Sequence, residues 1–432
     1  MKDSTKRLLL IFTLVTTLVP PFLLLPFPAL MTPSTVSVWL ADTLGYVGIV
    51  LLLWMSALGA KSLAGLVFRD LAPVLQLHKW LGTYAVVLIF AHPLLVMLGY
   101  GETLLYPFLP AVGTVFERGV TLGRIGLWVL LLTWVSSALL RGRMAFRPWK
   151  YLHYLAYLTV PFALLHIPNT GSYFMSETLV KGYFLTLVVA FVVVTLLRLR
   201  GWLGLDTVAY RVHEQQRLNE TDFLLVLEPT GAQRLQPRRG QYSYLRLGGI
   251  SEDHPFSILD YDQSTGRLTF AYRVYGSYTR LMSQLQPGQL VKVGGPYGEF
   301  MADIDSHDRL LVYISGGIGI TPFLAPLRHY AGGREQWLFA ANRTHASASL
   351  LREAYSQIGD HLVAVFSRES TPPGPGERRG RINTDMLQEA LKHPARYEYY
   401  LCGPPAMMHD VSLAVERLAV PRSQIHAEKF GW

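Results

Sequence analysis

The chain has 432 residues, half of them hydrophobic and only 16% charged, which excludes an ordinary soluble protein. A single cysteine, Cys402, excludes an internal disulfide and a Cys-rich metal site. The formal charge of +9 comes from Lys and Arg spread along the chain with no basic run interleaved with aromatics; this argues against nucleic acid and assigns the excess to membrane topology and cofactor phosphates.

Six apolar segments, at 8–30, 36–59, 77–99, 121–140, 151–168 and 179–198, are long enough to cross a bilayer, which takes about 20 residues. The first begins with Lys2, Lys6 and Arg7, as a signal peptide does, but its apolar run is long and no A-x-A site follows, so it reads as a span. Positive charge gathers in alternate loops: Lys61 and Arg69 after the second segment, Arg141, Arg143, Arg147 and Lys150 after the fourth, Arg198 and Arg200 after the sixth. The other loops are nearly free of it, Arg118 and Lys181 apart. The positive-inside rule then sets both termini in the cytoplasm of a multi-pass protein of the cell membrane.

The third and fifth segments are each bounded by histidines, HKWLGTYAVVLIFAH from His78 to His92 and HYLAYLTVPFALLH from His153 to His166. These are the only four of the 13 histidines before residue 205. A lone histidine in an apolar helix is usually a satisfied core residue or a proton relay. Two matched pairs are harder to explain that way, because polar groups in lipid are costly and imidazole is a preferred axial ligand of haem iron. The spacing predicts two b-type haems, one held by His78 and His153 near the cytoplasmic face and one by His92 and His166 near the outer face. Helix phase complicates the second pair: 14 residues separate His78 and His92, but 13 separate His153 and His166, and 13 steps leave the later histidine well round the helix. Pro161 is the expected source of a correcting kink.

From about residue 205 the pattern changes to short β-rich runs such as TDFLLVLEP and RLTFAYRVYG, which predict a small antiparallel barrel. After Ile304, strands such as RLLVYIS, QWLFAAN, HLVAVFS and YEYYLCG alternate with helical stretches, an α/β nucleotide-binding pattern. Between the first of these strands and its helix lies Ser315-Gly316-Gly317-Ile318-Gly319-Ile320-Thr321-Pro322, whose backbone N–H groups can receive a pyrophosphate. Gly317 and Gly319 fit the first two glycines of G-x-G-x-x-G, but Pro322 stands in place of the third, so the motif alone is weak.

The motifs GGIGITPF, HPFSI at 254–258, RVYGSYT at 273–279, GGPYGEF at 294–300 and LCGPPAMM at 401–408 have the order and spacing of the ferredoxin–NADP reductase fold. Behind six spans with two histidine pairs, they make the chain resemble the NADPH oxidase/ferric reductase family, in a compact form suggestive of a bacterial member. The resemblance implies a six-helix all-α transmembrane bis-haem domain over 1–204, an antiparallel β-barrel FAD domain over 205–302 and an α/β NADPH domain over 303–432. It implies that His254, Pro255, Phe256 and Ser257 form the flavin motif, Phe256 packing on the isoalloxazine and Ser257 bonding near N5. Arg273 with Gly276, Ser277 and Thr279 would hold the FAD pyrophosphate. Gly316, Gly317, Gly319 and Thr321 would take the nucleotide phosphates, and Ser367 and Arg368, with Arg343, the 2′-phosphate that favours NADPH over NADH. Cys402, in the run continued by Gly403 and Pro404, would position the nicotinamide. Phe430 or Trp432 would cover the flavin ring.

The function so implied is transmembrane electron transfer from NADPH through FAD and two haems to an outer acceptor, dioxygen giving superoxide. Reduction of ferric or other metal chelates, or relay to a periplasmic partner enzyme, uses the same parts. The expected partners are NADPH, the acceptor and the lipid bilayer, with no obligate protein partner.

Overall fold

The fold is described from a computed structural model over residues 3–170, 173–174, 176–248, 252–370 and 374–429. Among the described residues, five helical stretches are long and apolar enough to cross a membrane: Thr5–Leu24, Pro33–Leu58, Ala72–Tyr100, Val115–Leu139 and Thr178–Trp202. Their lipid-type composition leaves large apolar side chains such as Leu98, Leu179 and Leu185 exposed, as expected where the solvent is hydrocarbon. Thr32 and Thr114 start two of these helices through reciprocal side-chain and backbone bonds with Thr35 and Glu117, which satisfy N–H groups that the helix cannot.

The fifth predicted segment is helical but not one continuous span. It runs as Phe146–Tyr154, a 3₁₀ turn at Leu155–Leu158, then Thr159–Thr170. This turn, rather than a kink at Pro161, carries most of the phase correction between His153 and His166. An α-helix turns by about 100° per residue and a 3₁₀-helix by about 120°, so four 3₁₀ residues add about 80°. That brings His166 from the far side of the helix to within about 60° of the face of His153. Pro161 contributes indirectly: sitting in the first turn of Thr159–Thr170, it donates no N–H to the carbonyls of the preceding turn. The helix bearing His78 and His92 carries a π turn at Leu81–Ala85.

The chain divides into two compact units, Met1–Leu203 and Gly204–Trp432. The second opens with a closed antiparallel barrel in the order β1-β2-β5-β4-β3-β6. Its strands are β1 (Val208–Arg217), β2 (Asp222–Pro229), β3 (Tyr242–Leu247), β4 (Asp253–Tyr261), β5 (Leu268–Arg273) and β6 (Leu290–Tyr297). Alternating residues such as Tyr210 and Val212, Leu225 and Leu227, and Val291 and Val293 fill its interior, as the period of two dictates.

A six-stranded sheet follows: β7 (Leu310–Gly316), β8 (Gln336–Asn342), β9 (Leu362–Phe366), β10 (Glu377–Arg379), β11 (Tyr397–Gly403) and β12 (Ile425–Lys429). The order is β10-β9-β8-β7-β11-β12, with every neighbouring pair parallel. Leu311 and Tyr313 face one buried cluster and Val312 and Ile314 another, so β7 is apolar on both faces because both are covered. Burying Phe323 completely against the first cluster contributes roughly 2–3 kcal/mol.

Candidate functional site

In the membrane unit the four histidines meet in the expected pairs. The rings of His78 and His153 have centres 6.1 Å apart at 86°, and those of His92 and His166 lie 6.3 Å apart at 79°. The Nδ1 atoms of His78, His92 and His166 lie 2.9, 2.7 and 2.9 Å from the backbone oxygens of Met55, Ala41 and Gly119. A carbonyl only accepts, so each of these Nδ1 atoms carries the proton and Nε2 keeps its lone pair. His153 Nδ1 lies 3.1 Å from Ser137 Oγ, which also accepts from Trp149 Nε1 at 3.2 Å, and the Trp149 ring stacks on the imidazole.

Three glycines make room for these rings. A Cβ on Gly59 would lie 3.1 Å from His78, one on Gly45 3.2 Å from His92, and one on Gly123 2.7 Å from His166. Beside the outer pair is a cavity of about 300 Å³ whose lining includes His92, His166, Gly45, Gly123, Arg124 and Tyr173. A polar group so oriented inside an apolar bundle, with space beside it, is suited to a ligand that bonds through nitrogen.

In the second unit the sheet order reverses between β7 and β11. In parallel α/β sheets the crevice outside the carboxyl ends of strands at such a point is where ligands bind. The Gly-rich turn leaves β7 there and Cys402-Gly403-Pro404 leaves β11. A Cβ on Gly316 would lie 2.7 Å from Pro404 Cδ, and one on Gly319 2.4 Å from the Cys402 oxygen. Gly317 has φ +56°, which favours glycine. The close approach explains the glycines here without a ligand, and it also brings Gly316, Gly317, Gly319, Cys402, Gly403 and Pro404 into one patch. Thr321 is buried and its hydroxyl donates to the Ile318 oxygen at 2.7 Å, closing the turn that opens helix Thr321–His329. Cys402 is fully buried, and burial, assisted by the negative field of Glu428, pushes its thiol well above the ordinary cysteine range.

The flavin-motif residues His254 to Ser257 lie on β4, with Ser257 opposite Tyr242 and Phe256 opposite Ser243 on β3. The His254 ring stacks on Tyr278 at 3.9 Å, and Phe256 lies 6.2 Å from the same ring. Arg273 is held internally. Its Nε and Nη2 donate to the two oxygens of Asp222 at 2.6 and 2.8 Å, and Nη2 also donates to the Ser347 oxygen at 2.8 Å. A Cβ on Gly317 would lie 3.2 Å from Arg273 Nη1, so the guanidinium reaches the Gly-rich turn. The Thr279 hydroxyl accepts from the N–H groups of Tyr275 and Gly276 at 2.9 and 3.1 Å, and so caps its own turn. Gly276 has φ −136°, a conformation open to any residue. Ser277 begins the short helix Ser277–Met282.

At the carboxyl edge of β8 and β9, Ser367 N–H donates to the Asn342 oxygen at 3.0 Å and Arg368 N–H to the Arg343 oxygen at 2.9 Å. This fixes Arg343 and Ser367-Arg368 side by side, all exposed. Phe430 and Trp432 lie outside the described residues.

Two stretches of the chain match known families. Residues 44–164 match the ferric reductase like transmembrane component, and residues 313–413 match the oxidoreductase NAD-binding domain. This is the architecture of the NADPH oxidase/ferric reductase family. The protein is accordingly a multi-pass membrane oxidoreductase whose second unit is an FAD- and NAD(P)-binding domain of ferredoxin-reductase type.

Among curated relatives it is 28% identical over 246 residues to the reductase component of propane 2-monooxygenase from Rhodococcus jostii (strain RHA1), covering 54% of this chain and 66% of that one. It is 31% identical over 217 residues to the same component from Gordonia sp. (strain TY-5), covering 48% of this chain and 61% of that one. The chain therefore spans just under two thirds of the length of these relatives. A solved structure, the flavohem-like FAD/NAD-binding domain of nitric oxide dioxygenase from Vibrio cholerae O1 biovar El Tor, aligns with a TM-score of 0.47 at 23% identity, over 52% of this chain and all of that one.

Sequence reasoning about this oxidoreductase missed the partners rather than the principals: Asp222, Ser137, Trp149 and the glycines 45, 59 and 123. Only Gly45, Gly59 and Gly123 offered a signal, as glycines inside or at the end of apolar spans where Ala is favoured and a close approach is the usual reason for Gly.

Proposed function

We propose that this oxidoreductase takes electrons from NADPH on the cytoplasmic side and delivers them to dioxygen on the outer side, forming superoxide. The observation that carries the reading is the paired histidines. Two imidazoles on opposite sides of one iron, each about 2 Å from it through Nε2, have ring centres about 6 Å apart, and the two pairs measure 6.1 and 6.3 Å. The Nδ1 bonds to Met55, Ala41 and Gly119 support the same assignment, since a ligating histidine characteristically donates its other N–H to an oxygen. His78 and His153 would hold an inner b-type haem and His92 and His166 an outer one. If these four imidazoles hold the haems in this way, the acceptor would be reduced without binding iron.

Residues 205–302 would form the FAD domain and 303–432 the NADPH domain, with 1–204 in the membrane and both termini cytoplasmic. FAD, when bound, accepts the two electrons of a hydride and releases them singly to haem iron, which carries one at a time. The chain's own part is to align these groups. His254 to Ser257 would line the flavin, with Phe256 against its ring and Ser257 near N5. The turn Gly316–Thr321 would present N–H groups to the nucleotide phosphates. Cys402, Gly403 and Pro404 would seat the nicotinamide, the buried neutral thiol acting by contact and not as a nucleophile. Arg343, Ser367 and Arg368 would take the 2′-phosphate, and Phe430 or Trp432 would cover the flavin until nicotinamide displaces it. Arg273 would act on the FAD pyrophosphate together with Gly276, Ser277 and Thr279, from a guanidinium already fixed by Asp222.

Purified, FAD-loaded protein given NADPH should show reduced b-type haem bands and reduce cytochrome c in a reaction that superoxide dismutase abolishes. Dismutase-insensitive turnover with rapid ferric-chelate reduction would replace dioxygen by a metal chelate as acceptor. The absence of b-type bands would overturn the haem assignment. A second reading draws on the relatives, which are reductase components: the protein would relay electrons to a partner enzyme. Slow turnover with every small acceptor, despite full haem reduction, would favour it.

A further inference from the structure

We propose that His345 is a specificity-positioning residue: it holds Glu369 and Glu377 away from Arg343 and Arg368, leaving both guanidiniums for the 2′-phosphate of NADPH. This rests on the reading that the carboxyl edge of β8 and β9 receives the adenosine end of the nucleotide.

Glu369 follows Arg368 directly, and Glu377 opens β10, which pairs with β9. Left alone, carboxylates so close to two arginines would pair with them and would repel a phosphate. They are instead turned to His345. Its backbone N–H and its Nδ1 both reach Glu369 Oε2, at 2.9 and 2.7 Å, and its Nε2 lies 2.9 Å from Glu377 Oε1. With a carboxylate on each ring nitrogen, both nitrogens donate and the ring is an imidazolium. The ring is fixed from two further directions. It packs on Phe366 with centres 4.1 Å apart, and its 3₁₀ turn is closed by Thr344 N–H donating to Ser347 Oγ at 3.1 Å. Among the described residues, neither the Arg343 nor the Arg368 guanidinium has a hydrogen-bond or ion-pair partner.

Two acidic groups are thus neutralised beside two unpaired cations. Releasing them would do more than weaken phosphate binding, because a carboxylate at this edge can accept from a ribose 2′-hydroxyl, the contact that selects NADH. His345 therefore decides which of two nucleotides the edge fits.

The test is direct binding of 2′-phospho-AMP and of AMP to the full-length FAD-loaded protein by calorimetry, with NADPH- and NADH-dependent ferricyanide reduction beside it. His345→Ala should weaken 2′-phospho-AMP by roughly tenfold while AMP changes less than about twofold, and should shift turnover toward NADH. His345→Ala/Glu369→Ala should recover most of the lost phosphate affinity, which repair of a merely structural defect would not. Equal weakening of both nucleotides, or no change in either, overturns the proposal. Arg368→Ala separates the two levels. If Arg368→Ala abolishes the phosphate preference and His345→Ala leaves it intact, this proposal alone fails. If Arg368→Ala leaves the preference intact, the reading of the edge fails and the proposal with it.

Discussion

Gly123 stands where any side chain would strike His166: a Cβ there would lie 2.7 Å from Nδ1, the nitrogen that also lies 2.9 Å from the Gly119 oxygen and 3.3 Å from the Thr170 hydroxyl. Gly119 and Gly123 both belong to helix Val115–Trp134, one turn apart. The helix thus supplies the anchor for the imidazole with Gly119 and the space for it with Gly123. Adding a methyl group must push the ring off its anchor, because neither the backbone nor the ring can yield as a flexible side chain would.

Gly123→Ala should therefore remove the outer haem and leave the inner one, lowering the reduced-minus-oxidised absorbance per protein by roughly half. Gly45→Ala, whose Cβ would lie 3.2 Å from His92, should cost less. Full haem content in Gly123→Ala would remove His166 from the set of ligands.

Asp222 and Arg273 join the barrel to the sheet domain. The Asp222 carboxylate is buried and bonded to Arg273 and to Ser349 Oγ at 2.8 Å, and Arg273 reaches the Ser347 oxygen. Burial alone would raise its pKa, but the bonds from Arg273 and Ser349 and the Arg273 charge outweigh this and hold it below the ordinary range. Asp222→Ala strands a half-buried guanidinium and should cost roughly 3 kcal/mol, the low end for a broken buried pair. Flavin release on heating should then come about 6–12 °C earlier. Because the folded carboxyl has the lower pKa, its contribution is complete above the unfolded value of about 3.9 and fades as pH falls through the folded one. Asp222→Ala should accordingly be less acid-sensitive than the parent below about pH 4.

Cys402 offers a chemical readout of the turn it supports. Complete burial and a raised pKa leave no thiolate at neutral pH. A disulfide reagent should find no thiol in the native protein and one after denaturation. Cys402→Ala should lower kcat for ferricyanide reduction by roughly tenfold with little change in KM, as expected for a residue that aligns the nicotinamide. An unchanged kcat would leave Cys402 as core packing.

Periodicity and charge made the membrane half, the barrel and the α/β sheet legible, because each rests on a repeat that a single sequence displays. The histidine pairs were legible for the same reason. The bonds that hold the site were not. Asp222 meets Arg273, 51 residues later, across neighbouring strands, and nothing local marks Asp222 as the partner of Arg273 in preference to an FAD phosphate. The 3₁₀ turn at Leu155–Leu158 was equally hidden, since Leu-Ala-Tyr-Leu suits an α-helix as well. Pro161 pointed to the right segment, but the overwound turn lies on its N-terminal side.

The pairing of His345 predicts how nucleotide choice responds to pH. The bond to Glu377, opposed by a little desolvation and reinforced by Glu369, raises the His345 pKa. Bonds from the His345 backbone and ring hold Glu369 down at about 2, and the Gly374 N–H and His345 hold Glu377 below the usual carboxylate range. Of the three bonded groups His345, Glu369 and Glu377, it is therefore His345 that titrates on the alkaline side. Its cation, and the NADPH preference that goes with it, should be fully present below its unfolded pKa of about 6.5 and should fall as pH rises through the higher folded value. The 2′-phosphate itself gains charge near pH 6, which favours binding as pH rises and so opposes the trend. Comparison with His345→Ala cancels that term. The ratio of kcat/KM for NADPH to that for NADH should start higher in the parent than in His345→Ala, and the two profiles should converge at alkaline pH. Parallel profiles from pH 6 to 9 would show that the imidazolium has no part in the selection.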